Sequence, residues 1–181
     1  TMATNREEAI RHNAIPSDFV LREIKDLRKY LKERTKKGEN HLRAMVKKHF
    51  PELYDCLQTI PSVGEKTTIE MIVVTEGFTK FESDKALAAY VGVSPTTYSS
   101  GTSVRGRGGI SRASRGRTRQ CLYLCSWTAR RTNPACAAMY DRMKKAGKPP
   151  KVIGVALAHK LLRQIFAVGM SGQNYRAECA Y

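Results

Sequence analysis

Apolar residues in the first third of the chain recur at helical spacing. Val20, Ile24, Leu27 and Leu31 follow one another at steps of 4, 3 and 4, an a/d seam of about two heptads. Pro16 closes an irregular polar stretch before it, and Ser17 or Asp18 is placed to cap the helix. The seam fades at Arg34, Gly38 weakens the helix, and Leu42, Met45, Val46 and Phe50 resume the stripe. This pattern predicts one long helix or two collinear ones, packed against a partner helix.

The next signal is Ile60-Pro61-Ser62-Val63-Gly64-Glu65-Lys66-Thr67. An apolar residue, a tight turn with Gly64 and a helix start at Glu65 read as the hairpin of a helix-hairpin-helix unit. Such a turn aims backbone N–H groups and a helix N-terminus outward, where a phosphate can sit, with Lys66 adding charge. A helix over 67–76 follows, then a short one capped by Ser83 with Leu87, Ala88 and Val91 on its apolar face. Further helices are predicted over 118–131, carrying Leu122, Leu124, Trp127 and Ala129, over 134–145, and over 152–168. Residues 171–181 read as a frayed tail. The fold class is therefore mainly α: a polar N-terminal segment and helical arm over 1–56, a compact helical domain over 57–170, and the tail.

One segment breaks the helical pattern. Residues 94–115 are rich in glycine, serine, threonine and arginine, with Val104 and Ile110 as the only large aliphatics. A loop of this length inside a compact domain is usually functional or disordered. It also sits within the most one-sided charge of the chain. The 181 residues hold 32 Lys+Arg against 16 Asp+Glu, a net charge of +16. Residues 1–58 carry a net +4 and residues 59–181 a net +12. Between Lys85 and Tyr140 there is no acidic residue, while Arg105, Arg107, Arg112, Arg115, Arg117, Arg119, Arg130 and Arg131 all fall there. Arginine is the side chain best shaped for bidentate phosphate contact, and a one-sign segment calls for an anionic partner. Nucleic acid fits, and a membrane surface does not, since no basic amphipathic helix carries the charge.

Composition narrows the chemistry. Hydrophobic residues are 41 % of the chain, enough for a core. The run 152–170 is broken by His159, Lys160 and Arg163, which argues against a membrane span. The five cysteines form no C-x-x-C pair, so neither a disulfide framework nor a zinc site is expected, and the setting is a reducing cytoplasm. Cys121 and Cys125 read as small buried hydrophobes. The four histidines are scattered, no P-loop is present, and the sparse carboxylates supply no metal site over 85–140. What remains open is a hydroxyl nucleophile. Ser99, Ser100, Thr102 and Ser103 lie beside Arg105 and Arg107, so a serine could attack a phosphodiester while arginines stabilise the transition state. The chain offers no evident base or metal to activate it, and on composition a simple phosphate-binding loop is the stronger reading.

The residues also carry a family resemblance. The series Ile60-Pro-x-Val-Gly-Glu-Lys-Thr, Ala86-Leu-Ala-Ala-Tyr-Val-Gly-Val-Ser-Pro95, Ser100-Gly-Thr-Ser-Val-Arg-Gly106, Ile110-Ser111, Arg119-x-x-Leu-Tyr123 and Gly147-Lys-Pro-x-Lys-Val152 resembles the C-terminal domain of the DEDD insertion-sequence transposases. That group includes the pilin-gene invertases and the bridge-RNA-guided recombinases. The arm resembles the helical segment preceding that domain, and Ser62 departs from a common glycine. The resemblance implies a mobile-element recombinase that cuts and joins DNA through a phosphoserine, with Ser100 as nucleophile. It implies a preceding RuvC-like domain whose carboxylates hold Mg2+, so this chain alone would hold no cofactor and would not be active. The opening Thr1-Met2 fits a fragment of something longer. DNA contacts are expected from Ser62, Gly64, Lys66, Thr67, Arg105, Arg107, Arg112, Arg115, Arg117 and Arg119. Expected partners are DNA, a guide RNA in some members, and further copies of the chain through a coiled-coil arm, in a prokaryotic, nucleoid-associated setting without a membrane. Two other readings stand beside this one: a non-catalytic helix-hairpin-helix RNA-binding protein, and a helical scaffold that dimerises through 20–31.

Overall fold

The computed structural model describes residues 18–94, 99–100, 104–105 and 115–177, the two short strands by backbone alone. The chain is mainly α-helical. By contact it divides into residues 1–45 and 46–181. The first helix, α1 (Asp18–His49), is one continuous element of 32 residues. Gly38 does not interrupt it. Asp18 in the first turn and Lys47, Lys48 and His49 in the last oppose the helix dipole at both ends. The seam side chains Val20, Leu27, Leu31, Leu42 and Met45 are exposed.

The larger unit begins at Val46, the buried residue of the last turns of α1. Then come α2 (Pro51–Gln58), α3 (Glu65–Thr75) and α4 (Asp84–Val91). Pro51 opens α2, where its missing N–H costs nothing. The Ser83 side chain caps α4 by accepting from the Ala86 N–H at 3.2 Å, as its position suggests. Within the segment read as a loop, β1 (Ser99–Ser100) and β2 (Val104–Arg105) pair antiparallel, Ser99 opposite Arg105 and Ser100 opposite Val104. Three helices complete the unit: α5 (Gly116–Thr132), α6 (Pro134–Lys145) and α7 (Pro150–Ser171).

The core is organised on α7, which packs against α2, α4, α5 and α6. Ala158, Leu162, Ile165 and Val168 enter one apolar cluster with Leu57, Ile60, Met71, Leu87, Val91 and Leu122. Ile153, Leu157 and Leu161 enter a second with Ala129 and Cys136. Among the described residues α7 is also the one helix long and apolar enough to cross a membrane, but half of that stretch is buried in these clusters. Two glycines let neighbours approach it closely. A Cβ at Gly154 would stand 2.7 Å from the Tyr123 ring, and one at Gly169 would stand 2.5 Å from the Phe78 ring.

Of the apolar residues on α5, Leu122 and Ala129 are buried, while Leu124 and Trp127 are 60 % and 37 % exposed. One expectation is corrected here: the chain is not frayed directly after α7. The Cys56 thiol donates to the Gly172 carbonyl at 3.2 Å, and the Tyr175 N–H donates to Thr59 Oγ1 at 2.8 Å. The Tyr175 ring then reaches a buried polar group that periodicity could not reveal. Asn133 caps α6, its Oδ1 accepting from the Cys136 N–H at 3.2 Å, while its Nδ2 donates to Gln164 Oε1 at 2.9 Å. Gln164 Nε2 donates to the Tyr175 hydroxyl at 3.4 Å. Substituting Asn133 with Ala removes the cap and leaves the buried Gln164 carbonyl unpaired. The expected loss is about 2–3 kcal/mol of stability, read from urea unfolding.

Candidate nucleic-acid interface

The arginines that follow the glycine-rich segment are fixed by what the start of α5 meets. Arg115 precedes the helix. Its Nε donates to the Tyr90 hydroxyl at 2.9 Å, and its guanidinium lies 5.6 Å from the Tyr90 ring centre, on α4. Arg117 turns to α3, where its Nε stands 3.4 Å from Glu70 Oε2. Thr118, fully buried, donates to the other oxygen of Glu70 at 2.7 Å. Arg117 is itself 76 % exposed, so the pair adds little stability and its guanidinium remains accessible to an anion. Arg119 turns to α7. With Gly116, Gln120, Tyr123, Lys151 and Val155 it lines a cleft of about 300 Å³. Neither α5 nor α7 has an acidic residue in its first turn or a side-chain cap, so both N-termini add positive potential there.

The turn between α2 and α3 supplies the second group of expected contacts. Gly64 is exposed and precedes α3, and its carbonyl accepts from the N–H groups of Thr67 and Thr68, both at 3.0 Å. Lys66 is exposed. Thr67 does not present its side chain to a ligand: it is buried, with Oγ1 3.1 Å from Cys125 Sγ, joining α3 to α5. Cys125 and Cys121, expected to be buried, are both half-buried. Glu65, at the start of α3, accepts from the Tyr54 hydroxyl at 2.8 Å and has Lys47 Nζ at 3.9 Å. Ser62 has φ 78°, left-handed backbone that glycine adopts more readily, and its Oγ is buried without a hydrogen-bond partner.

Ser100 and Arg105 belong to the β1–β2 pair, one register step apart. Arg107 and Arg112 lie outside the described residues. Among the described residues no three His, Cys, Asp or Glu side chains are grouped to hold a metal ion. Two titratable groups on α5 and α7 are shifted towards their neutral forms. Burial, then the Glu70 carboxylate, raises the Cys121 thiol above its ordinary value. Burial, then the Arg163 guanidinium, lowers His159, which is therefore neutral at pH 7.

Sequence reading missed one cluster. Along α5, Arg119, Tyr123 and Trp127 stand four apart on one face. The Tyr123 and Trp127 rings meet edge-on with centroids 6.0 Å apart. The Arg130 guanidinium lies 4.8 Å from the Trp127 ring centre and 5.5 Å from that of Tyr140 on α6, and Lys144 Nζ is 5.9 Å from the Tyr140 ring centre. The spacing was visible in the sequence, but an aromatic stripe at helical period looks the same whether it faces core or solvent.

Comparison with known proteins finds similarity over much of the larger unit. Residues 54–141 match the model of the Transposase IS116/IS110/IS902 family. A 43.6 kDa uncharacterized protein of insertion element IS110 from Streptomyces coelicolor is 31 % identical over 142 residues, covering 77 % of this chain and 34 % of that protein. The pilin gene-inverting proteins of Moraxella lacunata and Moraxella bovis are 33 % and 32 % identical over 113 residues, 62 % of this chain and 35 % of each relative. The chain thus spans about a third of the length of these curated relatives. Replacing Ser62 with Gly relieves the left-handed φ and removes a buried unpaired hydroxyl, so stability should rise by about 1 kcal/mol in urea unfolding. The stretch similar to the transposase family model, residues 54–141, includes both the turn before α3 and the basic start of α5.

Proposed function

We propose that this chain is the DNA-binding, nucleophile-bearing part of a recombinase, with Ser100 as the attacking residue. The observation that carries the reading is the span of the family match: residues 54–141 enclose the 59–64 turn, Ser100 and every arginine of the acid-free window. In this reading Ser100 Oγ attacks a DNA phosphorus. The Oγ–P bond forms as the P–O bond to the departing sugar breaks, and the proton of the serine leaves with a base. The departing sugar oxygen takes up a proton. Attack by a sugar hydroxyl of another strand reverses the step and frees the serine, so the phosphodiester energy is conserved. Cations near Ser100 stabilise the added negative charge of the transition state. Arg105, in the strand that pairs with β1, is one candidate.

Activating the serine calls for a base or metal. We assign Mg2+ and its carboxylates to an acidic domain outside these residues, in keeping with the greater length of the relatives. We assign assembly, as a dimer or higher oligomer, to the exposed a/d seam of α1, whose Val20, Leu27 and Leu31 suit a matching helix from a second copy. DNA is the main partner, and a guide RNA is a further one. The exposed turn before α3, with Gly64 and Lys66, suits one duplex phosphate.

In a recombinase containing this chain, Ser100→Ala should abolish the covalent protein–DNA adduct trapped on a nicked substrate, and with it strand exchange. Duplex affinity should stay within about twofold, since the hydroxyl is a small part of the electrostatic contact. An adduct that survives the substitution would remove Ser100 from the role and leave the non-catalytic nucleic-acid binder as the better reading. Arg105→Ala and Arg107→Ala should each reduce the slope of log affinity against log salt by about one unit. Filter binding across a salt series measures this, and an unchanged slope means that the guanidinium meets no phosphate.

A further inference from the structure

We infer that the exposed α5–α6 face centred on Trp127 is a stacking platform for an unpaired nucleic-acid strand. The inference rests on the nucleic-acid reading above and extends it to a surface that neither the candidate nucleophile nor the turn before α3 occupies. Trp127 is 37 % exposed and its neighbour Leu124 60 %. The Arg130 guanidinium lies against the faces of both Trp127 and Tyr140. Arg131, in the last turn of α5, and Lys144 on α6 are exposed. The same side of α5 continues through Tyr123 to the cleft lined by Arg119 and Lys151. From Arg119 to Arg130 the helix rises about 17 Å.

Charge decides the class of partner. Every charged side chain of α5 is an arginine, and on α6 Asp141 is the single carboxylate, beside Arg142, Lys144 and Lys145. A protein partner meeting exposed aromatic residues would have to bring acidic groups for each cation, whereas a nucleic-acid strand brings a phosphate with every base. Aromatic geometry decides its form. A base in a duplex is stacked on its neighbours and offers no free face, so indole and phenol rings gain from stacking only when the base is unpaired. On this platform the base takes the indole face, and the Arg130 guanidinium turns from the ring to the adjacent phosphate.

Trp127 is the single tryptophan of the chain, so its emission reports the site without a label. The full chain is titrated with oligothymidylate, with oligouridylate of the same length, and with a blunt DNA duplex. Single strands should quench the emission to saturation, and the duplex should bind without quenching. Tighter binding of one single strand separates a displaced DNA strand from an RNA as the source. Trp127→Ala should weaken single-strand binding by about fivefold or more and leave duplex affinity within about twofold, and Trp127→Phe should restore most of the loss. Arg130→Gln should lower the salt dependence of single-strand binding by about one unit. Single strands that bind without quenching, or bind the Ala variant as tightly as the original chain, overturn the platform and leave the duplex-binding reading intact. Failure to bind any of the three probes overturns both.

Discussion

The constraint on which the larger unit depends is that α7 must be apolar around most of its circumference. A helix at the edge of a domain needs one apolar stripe, but α7 serves two clusters at once. Ala158, Leu162 and Ile165 face the cluster built on α2, α3 and α4, while Ile153, Leu157 and Leu161 face the one shared with α5 and α6. Close packing follows from the small residues between them. Gly154 admits the Tyr123 ring and Gly169 admits the Phe78 ring, at distances no side-chain carbon would permit. The helix that reads as apolar enough for a membrane is in this unit the element around which the others are assembled.

That assembly places the cations. Because α5 lies against α7 on one side and α3 on another, its first turn emerges where three helices meet. Arg115, Arg117 and Arg119 are alternate residues in sequence, and each finds a different support: Tyr90, Glu70 and the cleft beside Lys151. The uncapped starts of α5 and α7 add partial positive charge to the same region, without a carboxylate in either first turn to cancel it. The surface is thus basic through backbone and side chain together, which is the electrostatic form a polyanion requires.

Much of this was legible beforehand. The cap at Ser83, the proline at the start of α6 and the glycine turns delimited helices because each acts within a few residues of chain. Charge is also written directly in the sequence, as is the order of the motifs that resemble transposases. The direction a side chain takes was not legible. Thr67 stands beside exposed Lys66 yet is buried against Cys125, and Trp127 has the period of a core residue yet reaches the surface. Both outcomes depend on which helix packs against which face, a matter of contacts between residues far apart in the chain.

The sequence by itself determined the helical class, a helical first arm, the one-sign arginine window and the order of residues shared with transposases, because these rest on local propensity, periodicity and composition. Tertiary structure alone decided the supports of Arg115, Arg117 and Arg119, the docking of Tyr175 beside Asn133 and Gln164, and the exposure of the Trp127 face. Each of these is settled by packing against α7 and its neighbours, and the energy of burying one face rather than another exists only once the partner helix is in place.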